Sequence, residues 1–169
     1  MNLDQLATAK HEAMHALYAF AVGRYTVEYC SMRPPLPETS VLFELRRHSI
    51  AASYAQDPEG TAWELERMLG VACANGTDTS ASDYARAVPW ERQWPDDAHI
   101  SWVQLENNAR AQVREWLSDA RVQTAILSLA VQLCVKGRLE GEDLEGRMWH
   151  ALYCQRPNIC HCAVHYPQD

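Results

Sequence analysis

Two segments of this chain alternate apolar and polar side chains in the manner of strands. Tyr25, Val27 and Tyr29 alternate with polar partners, and Val41, Phe43 and Leu45 repeat the period less cleanly. Pro34, Pro35 and Pro37 lie between them. The pattern reads as a two-stranded β-ribbon with a long loop. Two strands alone are marginal in water, so the ribbon must lean on helices. The rest of the chain repeats with the period of a helix. Asp4 can cap a helix running to about Val22, with Gly23 as its stop. In that helix Leu6, Ala9, Ala13, Leu17 and Phe20 form an apolar stripe, flanked by Met14 and Ala21.

Further helices follow from the same signals. A short one covers Ser49 to Gln56. Asp57-Pro58 caps another, which continues through Trp63, Leu65, Leu69 and Cys73 to a stop at Gly76. Ser80 opens a short helix ending near Pro89, and Val88 to Asp97 reads as a loop. Longer helices cover Asp97 to Leu117, Asp119 to Lys136 with Gly137 as stop, and Gly141 to about Tyr153. The expected architecture is mainly α: an array of about six helices with one small two-stranded β-ribbon. It forms a single domain over residues 1–153, followed by a Cys/His-containing tail, 154–169.

Composition narrows the function. With 169 residues the chain can bury a sizeable core, and its net charge of −7 argues against a broad nucleic-acid surface. No run is long and apolar enough to cross a bilayer, and the N-terminus lacks the pattern of a signal peptide. A cytoplasmic protein is the expectation. Cys30, Cys73 and Cys134 fall in apolar patterns and read as buried thiols.

The chemistry is carried by His11-Glu12-Ala13-Met14-His15, which fits H-E-x-x-H. Histidines at i and i+4 lie one helical turn apart, so both rings can reach one point in space. Two such imidazoles can hold a zinc ion, and the glutamate between them can act as general base toward a water that zinc acidifies from a pKa of about 15.7 toward ~7. Glu12 would take the proton and pass it to the leaving amine. A helix carrying two surface histidines is the alternative that five residues leave open.

A catalytic zinc takes three protein ligands and keeps a further position open. The first helix offers no third ligand. Asp83, in "TDTSASDYARA", is the candidate from later in the chain. Ser80-Ala81-Ser82-Asp83 also has the form of a capping box with an acid in the first turn. On spacing alone the capping-box reading prevails.

Three separated segments resemble the peptidase domain of the FtsH family of membrane-bound AAA+ zinc proteases. "KHEAMHALYAF" is similar to the family's H-E-A-G-H-A helix. "MLGVACANGTDTSASDYARA" looks like its small-residue helix followed by T-G-A-S-x-D-hydrophobic-x-x-A. "AILSLAVQLCVKGRLEGEDLEGRMW" is similar to its closing pattern, and the family also has a ribbon after the first helix. The resemblance covers residues 5–150 or so. It implies an FtsH peptidase-domain-like fold, zinc held by His11, His15 and Asp83, Glu12 as catalytic base, and peptide or unfolded protein as substrate.

This chain departs from the family pattern at named positions. Met14 stands where the family has glycine, and its bulk would narrow the cleft or alter packing. Ala74-Asn75 replace an acidic pair. Asp83 comes one residue early counted from Ser82 and one late counted from Ser80. The chain carries no G-x-x-x-x-G-K-[ST] loop. The expectation is therefore an ATP-independent endopeptidase acting on unfolded or flexible segments, or one fed by a separate partner protein. A zinc-binding module of regulatory role, with little or no catalysis, is the alternative. The family assembles largely through its motor, so the resemblance leaves the oligomeric state open.

Other constellations carry less. Cys154, Cys160, Cys162 and His165 could hold a second, structural zinc, or be free or oxidised thiols. His48, His99 and His150 read as ordinary histidines. Trp90, Trp94 and Trp102 could line a peptide cleft but read first as packing. The strand near Val41 to Leu45 could pair with an extended substrate by strand addition.

Overall fold

The structure, a computed structural model, describes residues 3–33, 37–45, 49–74, 83 and 85–154. The first helix, α1, spans Leu3–Tyr18 and passes into a π-helical segment, Ala19–Gly23. Asp4 lies inside its first turn, where a carboxylate favours the positive helix end, rather than outside it as a cap. The residue that turns the chain is Arg24, left-handed at φ 56°. Gly23 serves another purpose: a Cβ there would sit 2.3 Å from the Tyr25 ring, so the absent side chain lets that ring lie against the backbone.

Strand β1 (Thr26–Ser31) pairs antiparallel with β2 (Glu38–Leu42), Cys30 opposite Thr39. The expected two-stranded ribbon gains a third member. Strand β3 (Arg138–Glu140) pairs with the other edge of β1, giving the order β2-β1-β3. Three residues are too few to display a period, so β3 had no signal of its own. Gly137 presents it: its backbone turns at φ 76° and its carbonyl accepts from the Met32 amide at 2.7 Å. The alternation at Val41, Phe43 and Leu45 marked burial correctly, but the strand ladder ends at Leu42.

Helix α2 (Ile50–Gln56) starts on the Ser49 side chain. Helix α3 (Pro58–Cys73) starts on Asp57, whose carboxylate accepts from the Gly60 amide at 3.0 Å. It ends at Cys73, ahead of the expected Gly76, which lies outside the described residues. The expected loop from Val88 contains a single helical turn, α4 (Val88–Glu91). Helix α5 (Trp102–Ser118) starts on a capping box between Ser101 and Gln104, not at Asp97. Helix α6 (Ala120–Lys136) runs from the Asp119 cap to Gly137, and α7 (Gly141–Tyr153) follows β3. The protein is thus mainly helical, with seven helices and a small antiparallel sheet among the described residues. No helix there is long and apolar enough to cross a membrane.

One hydrophobic core joins all the layers. Leu17, Leu65, Met68, Leu69, Leu105, Leu129, Leu133 and Leu144 are fully buried. Each contributes about 1.5–3 kcal/mol relative to exposure. Helix α1 packs most extensively against α6, and α3 against α5. Burial on α1 extends beyond its apolar stripe to Glu12 and His15, because β2 and α3 close over that side. Gly70 permits the α1–α3 approach, since a Cβ there would meet the Tyr18 hydroxyl at 2.5 Å.

Candidate metal centre

Helical spacing on α1 sets the first two groups. His11 and His15 lie edge to face with ring centroids 4.6 Å apart, and their Nε2 atoms approach to 3.1 Å. Asp83 reaches the same point: its Oδ2 is 3.0 Å from His11 Nε2 and 3.5 Å from His15 Nε2. All three ligand atoms lie within 4.8 Å of one another. Cap Ser80 and its neighbours Ala81 and Ser82 fall outside the described residues, so the capping-box reading of Asp83 has no bearing on these distances.

His15 is oriented from behind. Its Nδ1 lies 2.7 Å from the carbonyl oxygen of Val71. Val71 sits in the last turn of α3, and its carbonyl oxygen, with two lone pairs, accepts from the Ala74 amide at 3.2 Å as well. A carbonyl can only accept, so Nδ1 carries the proton and the lone pair of the neutral ring is on Nε2, facing His11 and Asp83. A nitrogen lone pair and a carboxylate oxygen pointed at one spot repel unless a proton or a cation lies between them. Asp83 pulls the His11 pKa up from its ordinary 6.5 by hydrogen bonding, against burial, which pushes it down. A proton on His11 and a small cation are therefore competitors for one place. The donor set of two imidazoles and a carboxylate suits zinc.

Glu12 is buried beside this cluster, at 6% exposure. Its carboxylate accepts a hydrogen bond from the Thr39 hydroxyl at 2.8 Å. A cleft runs past Glu12, His15 and Asp83, walled on one side by Pro37, Glu38, Thr39 and Val41. Phe43, Met68, Val71 and Trp90 form its apolar floor, and Arg86 stands at it too. Its cavity volume of about 70 Å³ is several times that needed for one water.

Sequence reasoning named the three convergent groups and Glu12, but missed Thr39 and the Val71 carbonyl. Neither has a local signal, since each acts across the fold. Of the three tryptophans, Trp90 lines the cleft, edge to face with Phe43 at 6.1 Å, while Trp94 and Trp102 are core residues outside that lining. Met14 is half-buried and packs against the core; it does not line the cleft. Ala74 is fully buried, and Asn75 lies outside the described residues. His99 bonds the Tyr54 hydroxyl at 2.9 Å on the surface. His150 is half-buried on α7, its carbonyl closing the helix on the Cys154 amide. Of the second candidate zinc set, Cys154 is a half-buried free thiol, and Cys160, Cys162 and His165 lie outside the described residues, as does His48.

No family model matches this chain, and neither does any curated protein or solved structure.

Proposed function

We propose that this protein is a zinc-dependent endopeptidase of the FtsH peptidase-domain type, cleaving unfolded or flexible protein segments. The observation that carries the reading is the meeting of His11, His15 and Asp83 beside a buried Glu12. His11, His15 and Asp83 would hold zinc, and a bound zinc supplies the Lewis acid that polarises the scissile carbonyl and acidifies the attacking water. Glu12 takes the proton of that water and returns it to the leaving amine. Val71 keeps His15 in the tautomer that a ligand needs, and burial keeps bulk water from competing for Glu12.

Substrate would enter as an extended strand. Strand β2 stands at the edge of the described sheet, and Pro37, Glu38, Thr39 and Val41 line the cleft. Strand addition there supplies main-chain hydrogen bonds for any sequence that can unfold locally. Globular substrates would need a separate partner to present such segments.

The test is zinc content in wild type, His15→Ala and Asp83→Ala, together with casein cleavage by wild type and Glu12→Gln. Zinc retained in wild type and lost in both ligand variants, with cleavage abolished in Glu12→Gln, is the expected result. Equal zinc in all three samples would sink the ligand assignment. Zinc without cleavage would favour a regulatory zinc module.

A further inference from the structure

The base of this site is held by the strand that forms the wall of its cleft. Thr39 Oγ1 lies 2.8 Å from Glu12 Oε2 and 3.0 Å from the Glu12 main-chain oxygen. Its single proton can serve one acceptor at a time, and the charged, nearer oxygen is the stronger. On its other side Thr39 Oγ1 is 3.3 Å from the Cys30 sulfur, its cross-strand partner in the β1–β2 register. Cys30 is fully buried, and burial keeps its sulfur protonated, so the thiol can donate to Thr39 Oγ1. With that lone pair occupied, the threonine proton turns toward Glu12. The path runs Cys30 S–H to Thr39 O–H to Glu12 carboxylate, across two strands and one helix.

We infer that Thr39 is the positioning residue of this site, its hydroxyl fixing the rotamer of the Glu12 carboxylate. The inference rests on the reading of Glu12 as general base. Glu12 lies between the two histidines on α1, the Thr39 hydroxyl is the side-chain anchor of its carboxylate among the described residues, and a base must be held within hydrogen-bond reach of the proton it takes. The β-branch suits the strand, and the hydroxyl does the holding. Thr39 acts through Glu12 and need not touch the reacting atoms.

Valine at this position keeps the shape and removes the hydroxyl, while serine keeps the hydroxyl. Thr39→Val should lower kcat on an unfolded peptide about 10–100-fold, with KM and zinc content close to wild type. Thr39→Ser should restore most of kcat. A second readout does not need activity. In protein labelled with [¹³Cδ]glutamate at one fixed pH, the Glu12 carboxylate signal is assigned by its loss in Glu12→Gln. It should move in Thr39→Val and stay in Thr39→Ser. Wild-type kcat in Thr39→Val, an equal loss in Thr39→Ser, or an unmoved Glu12 signal would each overturn the inference. Should Glu12→Gln cleave as well as wild type, the reading of Glu12 as base is what fails, and the carboxylate signal still decides whether Thr39 holds it.

Discussion

Helices α1 and α6 lie against one another, and each carries residues on the side where its neighbour's pattern would forbid them. Helix α6 leaves Leu127, Val131 and Val135, spaced one turn apart, toward solvent, Val135 at 80% exposure. Helix α1 does the reverse and buries Glu12 and His15. The two departures differ in consequence. Apolar atoms already make up much of any folded surface, so exposed valines need no compensation. A buried polar group without a partner costs about 1–3 kcal/mol. Both buried polar residues of α1 have partners, one in the Val71 carbonyl and one in Thr39, drawn from two other elements. A helix selected only to pack would carry alanine or leucine there, as it does at Ala13, Ala16 and Leu17.

The contrast can be broken or sharpened by substitution. The largest effect falls on the polar side of α1: Glu12→Gln should cut casein cleavage about 10²–10⁴-fold. Its melting temperature should stay near wild type, because the amide oxygen can still accept from Thr39. On the apolar side of α6, Leu129→Ala should cost about 2–5 kcal/mol in denaturant titration and leave zinc content unchanged. Gly70→Ala, which drives a methyl into the buried Tyr18 ring, should cost about 1–3 kcal/mol by the same measurement.

Smaller effects follow from the ribbon and the exposed stripe. Burial pushes the Cys30 thiol from 9.0 up to about 12. A raised pKa means the stabilisation is fully present below the unfolded value, near pH 9, and is lost as pH climbs toward 12. Stability measured across that window should therefore fall more steeply in wild type than in Cys30→Ala. Val135→Ala, on the exposed face of α6, should change stability by less than about 0.5 kcal/mol. A larger loss there would mean the stripe is covered, and the contrast with α1 would lose its basis.

What could be read without coordinates was local. The Asp57 and Asp119 caps start α3 and α6, and Gly137 stops α6, where their residue types demand, since a cap bonds to amides two or three residues away. The one-turn spacing of His11 and His15, with Glu12 between, follows from helical period alone. The third strand, by contrast, needed the chain to return from Arg138 to the edge of β1. Asp83 was a candidate from its residue type, but only its likeness to a family motif favoured it as a ligand, because nothing in a helix period relates it to His11. The proton position on His15 depends on a carbonyl 56 residues away, and the anchor of Glu12 on a hydroxyl 27 residues away. Short-range hydrogen bonding and side-chain period decide which residues form a helix and which face they share. Contacts between elements decide which of those faces close into a site, and these depend on packing that no local pattern encodes.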